Sequence, residues 1–321
     1  MKLGVRPIAA AVATSLAVVL AATGSTAVAA PGVKEYSLRA DFAVPADIAV
    51  GPDGALYAPD GSLGRLWRIT TAGKLSSIEF GSGPAGVAAG PDGALWVTDR
   101  TLDTIYRVAA DGGVTSYGVP TQGAFPTDIA AGPDGALWFT EGRGDKIGRI
   151  TVGGDVSEYP LATPGAFASN IVVGPDGALW FTEQIGNKIG RVTTAGTVTE
   201  FALPTADSLP GPIVAGPDGA LYFAERNTNV ITRMTTAGEV TDRYPIPTPN
   251  ADPVALAFAP DGELWIAEHS AGAFGRMSIG GAFAGDVRVK SSPDAITIGP
   301  DGNVWYASAD QGKIGRVDPD R

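Results

Sequence analysis

The amino-acid sequence predicts an all-β fold: a seven-bladed β-propeller of four-stranded antiparallel blades, closed by the N-terminal strand, which completes the last blade. Three observations support this prediction: a heptapeptide motif occurs seven times, its spacing is nearly constant, and no segment outside the N-terminal region has a helical hydrophobic period. The 321-residue chain is 44% hydrophobic and 18% charged. It therefore has enough apolar content to bury a large core.

The motif is GPDGALW or a close variant. Its copies begin at Gly51, Gly90, Gly132, Gly174, Gly216, Ala259 and Gly299. Successive starts lie 39, 42, 42, 42, 43 and 40 residues apart, which is the period of a four-stranded propeller blade. The Pro-Asp-Gly segment favours a hairpin turn, because proline fixes φ and glycine accepts a positive φ.

Each repeat contains four short segments typical of strands. In the fourth copy these are 171–173, 179–182, 189–193 and 198–203, each rich in β-branched or aromatic residues and separated by turn formers. None has the length or the 3.6-residue period of an amphipathic helix. Since one blade cannot bury both of its faces, seven blades must pack around an axis.

The two ends of the repeat region predict how the ring closes. The last repeat ends at 317–319 without an outer strand, whereas VKEYSL at 33–38 matches the outer-strand sequence VSEYPL at 156–161. The N-terminal strand is therefore expected to complete the last blade and remove its open edge. A closed ring without a spare edge favours a monomer.

Residues 1–29 have the pattern of a secretory signal peptide. Lys2 and Arg6 precede an uncharged run at 8–22, and Ala-Val-Ala at 27–29 fits a cleavage site. The run is too short and too polar for a membrane anchor. We therefore expect residues 30–321 to form a secreted, extracellular propeller domain.

Composition excludes several function classes. Lys and Arg total 23 against 34 Asp and Glu, a net charge of -11, which opposes binding to nucleic acid and to anionic membranes. The absence of cysteine excludes thiolate metal sites and a cysteine nucleophile. No phosphate-binding loop or serine-nucleophile elbow occurs, so nucleotide binding and serine-triad hydrolysis are not expected.

Residues present in every repeat are expected to build the blade. One such position is an arginine, expected to pair with a carboxylate or a turn carbonyl: Arg68, Arg107, Arg149, Arg191, Arg233, Arg276 and Arg316. A second is an aromatic residue expected in the core between blades: Tyr57, Trp96, Trp138, Trp180, Tyr222, Trp265 and Trp305.

A carboxylate follows the predicted second strand in six repeats. These residues are Asp60, Asp99, Glu141, Glu183, Glu225 and Glu268, with Ser308 in the seventh repeat. Six acids at one level could bind a cation. Because nearly every blade carries one, however, a turn or arginine partner is the favoured interpretation.

The starts of the inner strands are expected to surround a binding pocket at one mouth of the axial channel. The residues at this level are Ala46, Ala85, Thr127, Ser169, Gly211, Val254 and Asp294. Six of the seven are uncharged and small or medium-sized, which leaves room for a small molecule, a peptide or a glycan. Asp294 is the single ionised group among them. A preformed cage for Mg²⁺ or Ca²⁺ is not predicted, because it needs several converging oxygens.

His269, the only histidine, raises the question of catalysis. It follows Glu268 in a connecting loop, and an exposed loop residue is the favoured interpretation. The alternative is that Glu268, His269 and Asp294 from neighbouring blades converge on one rim as catalytic groups.

The segments WFTEQIGNKIGRVTTAGTVTEFALPT (180–205), WFTEGRGDKIGRIT (138–151) and EVTDRYPIPTPNADP (239–253) closely resemble the virginiamycin B lyase (streptogramin lyase) family. The resemblance extends over residues 33–317. It implies a seven-bladed propeller that opens cyclic streptogramin B depsipeptides by elimination at the ester, with Mg²⁺ and a histidine base, and hence a role in antibiotic resistance.

The resemblance also identifies positions where this chain departs from the family. The family's two histidines, in P-H-A-I and P-H-G-I, correspond to Val254 and Asp294, and its metal-binding glutamates correspond to Ser292 and Ser308. Asp310 reaches the second glutamate position only with a shifted gap, so Asp294 and Asp310 are the candidate metal ligands. Mg²⁺ is expected only if the family chemistry is retained.

Three functions follow from these departures. The first is an exported propeller that has lost the lyase chemistry and binds a ligand at the axial mouth. The second is an active lyase, or an enzyme acting on a related ester or lactone, with relocated catalytic groups. The third is a structural or protein-interaction propeller, since this fold hosts many unrelated sites.

Overall fold

The computed structural model describes residues 32–38, 40 and 42–319 and confirms the predicted seven-bladed β-propeller. Seven four-stranded antiparallel sheets are arranged around a central axis. The predicted signal peptide at 1–29 lies outside the described residues. Among the described residues, no helix is long and apolar enough to cross a bilayer.

The strands are numbered β1 to β28 in chain order. The inner strands are β2 (Ala49–Val50), β6 (Pro84–Ala89), β10 (Pro126–Ala131), β14 (Ala168–Val173), β18 (Pro210–Ala215), β22 (Pro253–Phe258) and β26 (Ala295–Ile298). The second strands are β3 (Leu56–Asp60), β7 (Leu95–Asp99), β11 (Leu137–Glu141), β15 (Leu179–Glu183), β19 (Leu221–Glu225), β23 (Leu264–Glu268) and β27 (Val304–Ser308). The third strands are β4 (Arg65–Ile69), β8 (Thr104–Val108), β12 (Lys146–Ile150), β16 (Lys188–Val192), β20 (Val230–Met234), β24 (Ala273–Met277) and β28 (Lys313–Val317). The outer strands are β5 (Leu75–Glu79), β9 (Val114–Gly118), β13 (Val156–Pro160), β17 (Val198–Ala202), β21 (Val240–Pro245), β25 (Phe283–Arg288) and, for the last blade, β1 (Lys34–Ser37).

The hydrophobic core lies between neighbouring blades. The second strands are buried along their whole length, because each has a neighbouring blade against both faces. One interblade cluster joins Trp96 and Ile105 of the second blade to Ile129, Leu137 and Phe139 of the third. The repeated tryptophans are fully buried, which confirms that the aromatic position belongs to the core.

The repeated arginine holds the Pro-Asp-Gly turn in place. In the fourth blade, Asp176 accepts hydrogen bonds from Nε1 of Trp180 at 2.9 Å and from Nε of Arg191 at 2.7 Å. Six blades repeat the pairing of this arginine with the turn aspartate. In the sixth blade Arg276 pairs with Glu263 instead. The predicted structural role of the arginine is confirmed.

The chain ends close the ring as predicted. β1 pairs antiparallel with β28, in register from Lys34 opposite Arg316 to Ser37 opposite Lys313. The carboxylate of Glu35 accepts hydrogen bonds from Nζ of Lys313 and from the hydroxyl of Tyr306, both at 2.9 Å. The last blade therefore has four strands, the outermost of which comes from the other end of the chain.

The inner strand of the fourth blade begins at Ala168, three residues earlier than predicted. The extra residues, Ala-Ser-Asn, lack the β-branched character that predicts strands. They belong to the sheet through a β-bulge, since the register of β14 on β15 shifts between Ala168 and Ile171. This bulge and those of four other inner strands lie at one mouth of the axial channel.

Candidate functional site

Five inner strands carry a register shift near their first residues, in the second to sixth blades. A bulge redirects the side chains that it contains. Here the bulged residues include Thr127 and Asp128 in β10, and Ser169 and Asn170 in β14. All four line the axial cavity. The bulge therefore supplies the polar groups of the mouth.

Buried threonines of the second strands compensate for the sheet hydrogen bonds that the bulges interrupt. The hydroxyl oxygen of Thr98 accepts the backbone N–H of Gly86 at 2.8 Å, and that of Thr140 accepts the N–H of Asp128 at 3.1 Å. The same hydroxyls donate to the carbonyls of Thr127 and Ser169 in the next blade. The mouth is thus built on satisfied backbone groups.

The cavity at the mouth has a volume of about 480 Å³. That is within the range of small-molecule sites. Six of the seven residues predicted at this level line it: Ala46, Ala85, Thr127, Ser169, Val254 and Asp294. Gly211 does not. A Cβ at Gly211 would lie 2.9 Å from Cδ of Arg226, so the stem of that arginine covers the position.

The cavity also contains two carboxyl groups that lie one residue beyond the predicted level. Asp47 accepts the N–H of Ile48 at 2.7 Å and that of Val87, in the next blade, at 2.9 Å. Asp128 repeats the arrangement with the N–H groups of Ile129 and Ile171, at 2.8 and 2.9 Å. The sequence suggested that Asp294 is the only carboxylate at the mouth. This prediction is wrong, because Asp47 and Asp128 also line the cavity.

Burial perturbs the charges of these aspartates. The two side chains contact solvent only partly, and protein atoms surround them on the other sides. Burial raises the pKa of Asp47. Burial, followed by the negative charge of Asp47, raises the pKa of Asp128 to about 7. A carboxyl group with a pKa near neutrality in a cavity indicates a functional site.

Arg100, directly after β7, lines the same cavity, and its charge interacts with both aspartates. Burial lowers its pKa, while the charges of Asp128 and Asp47 act in the opposite direction. Its guanidinium lies 5.7 Å from the ring centre of Phe125. Among the described residues, its Nε is buried without a hydrogen-bond partner. The guanidinium of this cavity-lining residue therefore donates no hydrogen bond to the described residues.

The wall contributed by the fifth to seventh blades is mainly apolar. It includes Ile213, Val254, Leu256 and Ile296. The cavity thus has a polar side with titratable groups, from the first to third blades, and an apolar side. This division favours an amphipathic ligand.

Two phenylalanines form part of the rim. Phe125 and Phe167 have left-handed backbone conformations, with φ of 56° and 54°, which are uncommon for bulky residues. Their ring centres are 6.2 Å apart, and the guanidinium of Arg143 lies 4.3 Å from that of Phe125. Both phenylalanines line the cavity, which places aromatic faces at its entrance.

His269 lies beside Asp294 at the edge of this mouth. It begins a short 3₁₀ helix, His269–Ala271, and its Nδ1 is 3.0 Å from Oδ1 of Asp294. The approach is not aligned for a hydrogen bond. Burial raises the pKa of Asp294, whereas the N–H of Ala309 and the imidazole lower it. Two of the three predicted catalytic residues are therefore neighbours, and His269 is more than an isolated loop residue.

Glu268 does not join them. Its side chain is fully buried, and a Cβ at Gly275 of the third strand would lie 2.4 Å from its Oε1. Burial raises its pKa to about 7, and the charges of Asp286 and Arg288 in the outer strand act on it in opposite directions. Glu268 therefore points into the blade, away from the channel mouth, and the three-residue convergence is wrong.

The six repeated carboxylates have different partners. Asp60 and Asp99 accept turn N–H groups, and Glu225 pairs with Arg243 at 2.6 Å, as predicted. Glu141, Glu183 and Glu268 are buried without a hydrogen-bond partner among the described residues. For these three, the predicted turn or arginine partner is wrong.

The candidate metal ligands do not form a cage. The hydroxyl of Ser308 donates to Asp310, an exposed residue whose charge acts on Asp294. In the part of the chain that the structure describes, no group of three or more His, Asp or Glu side chains is placed to hold a metal ion. The residues present do not fit a Mg²⁺ site of the family type.

Sequence comparison agrees with this architecture. The model of the virginiamycin B lyase family matches residues 4–172 and 164–321. The chain belongs to the virginiamycin B lyase family. A streptogramin B lyase structure is 33% identical, covers 89% of this chain and 97% of its own, and superposes with a TM-score of 0.85. No curated protein sequence matches the chain.

Two further lyase structures come from Staphylococcus aureus. Virginiamycin B lyase is 33% identical over 88% of this chain and 98% of its own, with a TM-score of 0.83. A catalytically inactive histidine-to-alanine variant, solved with quinupristin, is 35% identical over the same shares, also with a TM-score of 0.83. The WD40 propeller of Doa1, 13% identical with a TM-score of 0.74, shares only the fold.

Proposed function

We propose that this member of the virginiamycin B lyase family is an exported binding protein that holds an amphipathic, peptide-like small molecule at the axial mouth without opening it. The observation that carries the proposal is the composition of the cavity: Val254 and Asp294 line it, and the family resemblance implies histidines at these two positions. A general base contributes about 10²- to 10⁴-fold to rate. In one relative, a histidine-to-alanine variant is catalytically inactive and was solved with quinupristin.

The cavity itself supports binding. A volume of about 480 Å³ accommodates a small molecule, and its apolar wall offers contact area that a glycan would use poorly. Export follows from the signal-peptide pattern at 1–29. The ring of blades presents the mouth as a rigid, preformed site, which limits the ordering cost of binding.

We expect no streptogramin lyase activity. Incubation of the purified protein with quinupristin and Mg²⁺ should leave the intact depsipeptide as the only species in mass spectrometry, because both family histidine positions lack an imidazole. An authentic family lyase under the same conditions is the positive control. Linear product formed well above the protein-free rate would overturn the proposal.

Binding is tested in the same preparation by calorimetry with quinupristin. We expect a Kd on the order of 1–100 µM for the wild-type protein. Val254→Trp, which fills the cavity, should abolish the signal, whereas Val152→Trp at an exposed turn should not. Equal affinities in the two variants would show that the ligand binds elsewhere.

The contact between His269 and Asp294 supports a second candidate, an enzyme with relocated groups acting on an ester or lactone. A carboxylate 3.0 Å from Nδ1 stabilises the imidazolium that forms when Nε2 accepts a proton. His269 would remove the proton next to the carbon that carries the leaving oxygen, and the carbon–oxygen bond would break to give an alkene and a carboxylate.

In this case, the wild-type protein opens one substrate of a lactone and depsipeptide panel. His269→Gln and Asp294→Asn should each lower that rate by about 10²- to 10⁴-fold with little change in melting temperature, whereas Asp155→Asn at an exposed turn should have no effect. Absence of turnover across the panel eliminates the candidate.

A further inference from the structure

One side of the cavity lacks the second cation that would let both of its carboxyl groups ionise at neutral pH. Asp47 and Asp128 face a single guanidinium, that of Arg100. Each carboxylate oxygen accepts one backbone N–H, although a carboxylate offers about four acceptor positions. When both aspartates are ionised, the group carries one excess negative charge, which is unfavourable in partly desolvated surroundings.

Arg100 provides a second, independent indication that a partner is missing. Its Nε is buried and lacks a hydrogen-bond acceptor among the described residues. Its guanidinium is within range of the charges of Asp47 and Asp128, but among the described residues it forms no ion pair of 4.0 Å or less with either. The protein thus lines one side of the cavity with carboxylate acceptors and with a guanidinium that donates no hydrogen bond to the described residues.

We propose that Asp47, Arg100 and Asp128 bind the free amino terminus of a linear peptide. The ammonium group lies between the two aspartates, and the adjacent carbonyl oxygen accepts from Arg100. This inference rests on the proposed binding function and defines its ligand class. An ammonium group neutralises the excess charge, and charge-assisted hydrogen bonds are the strongest that such a wall can make.

The opposite wall supports a peptide over a simple amine. Val254, Leu256 and Ile296 line the apolar side, and the ring of Phe167 lies at the rim. The first side chains of an apolar peptide would contact this surface while its terminus reaches the aspartates. Capture of a terminal amine by fixed polar groups is an established way of recognising peptides.

The test compares leucyl-phenylalaninamide with its N-acetyl derivative by calorimetry. The two ligands share their side chains and differ in the ammonium group. We expect acetylation to weaken binding to the wild-type protein by roughly 10- to 100-fold. Asp47→Asn and Asp128→Asn should each weaken binding of the free amine by about 10-fold, while Asp155→Asn at an exposed turn serves as the matched control.

The outcomes separate this inference from the proposed function. Equal binding of both peptides, blocked by Val254→Trp, would overturn the amino-terminal site and leave binding at the mouth intact. Binding of quinupristin without binding of the free peptide would have the same meaning. If neither quinupristin nor the peptides bind, both proposals are wrong. The comparison of ligands does not require an aspartate variant to fold.

Discussion

Removal of residues 1–38 is expected to abolish cooperative folding, whereas removal of residues 1–31 is expected to leave the propeller intact. The longer deletion leaves the last blade with three strands and exposes the hydrogen-bonding edge of β28, an edge prone to aggregation. It also removes Leu38, which is 3% exposed, and the stacking of Tyr36 on Trp305 at 5.9 Å. Burial of two such side chains contributes roughly 4–8 kcal/mol, which is comparable with the whole stability of a domain.

Circular dichroism and calorimetry of the two deletions measure this effect.

A single substitution in β1 tests the same closure: Glu35→Ala should lower the free energy of unfolding by about 2–4 kcal/mol, because it removes the carboxylate that pairs with Lys313 and Tyr306. Glu79→Ala, in the outer strand of the first blade, is the control, since that glutamate is 71% exposed. A cooperative transition at the wild-type temperature in the 1–38 deletion would show that β1 does not close the ring.

The blades and their closure were predictable because both depend on repetition. Seven copies of one motif define the period, and the missing outer strand of the last repeat leaves VKEYSL as its only unassigned match. The bulges were not predictable, because residues such as Ser169 and Asn170 lack strand propensity, and the N–H of Asn170 bonds to the hydroxyl of Thr182 rather than to a backbone carbonyl. For this reason the predicted start of the inner strand in the fourth blade was three residues too late.

The same bulges explain why the candidate site was only partly predicted. Counting one residue per inner strand identified Ala46 and Thr127 but missed Asp47 and Asp128, which immediately follow them. A signal was present: both aspartates precede isoleucine in the pattern x-Asp-Ile, with Asn170 in the fourth repeat. Arg100 was detectable as the residue after the repeated carboxylate, a position that varies from blade to blade.

The partners of the repeated carboxylates depend on the opposite strands. In the first blade, Asp60 meets Trp67, whose Nε1 donates to it at 2.9 Å. The third and fourth blades have glycine at the position of Trp67, and Glu158 or Glu200 opposite that glycine in the outer strand. The ring of Phe139 or Phe181 covers that glycine, so Glu141 and Glu183 have no indole donor, and the charge of Glu158 or Glu200 acts on them instead. Comparison of residue types at the repeated carboxylate position does not reveal this difference between blades.

That arrangement predicts a large effect at alkaline pH. Burial and the charge of Glu158 raise the pKa of Glu141 to about 8. Burial raises the pKa of Glu183 and of Glu268 to about 7, with the charge of Glu200 adding to the effect on Glu183. In the unfolded chain these groups ionise near 4.5. The folded protein therefore binds more protons between pH 4.5 and 8, and its stability falls as the pH rises through that interval.

The triple variant Glu141→Gln, Glu183→Gln and Glu268→Gln should be more stable than the wild type at pH 9 and similar to it at pH 5. Glutamine reproduces the shape of the protonated acid and cannot ionise. Each substitution should contribute about 1–3 kcal/mol at pH 9, which raises the melting temperature by roughly 5–15 °C in total. Thermal unfolding from pH 5 to pH 9 measures the difference.

Glu225→Gln is the matched control, because it occupies the same slot in a blade where the carboxylate has partners. Arg243 lies 2.6 Å from Glu225, and the hydroxyl of Thr232 donates to it at 2.6 Å. Loss of the charge breaks the ion pair with Arg243, a solvent-exposed arginine, and should destabilise the protein by about 1–2 kcal/mol at pH 9. If the triple variant is more stable than the wild type at pH 9 and Glu225→Gln is less stable, the outer-strand partner determines whether the carboxyl group at this repeated position is protonated. If both kinds of substitution destabilise the protein at pH 9, Glu141, Glu183 and Glu268 are ionised in the folded state.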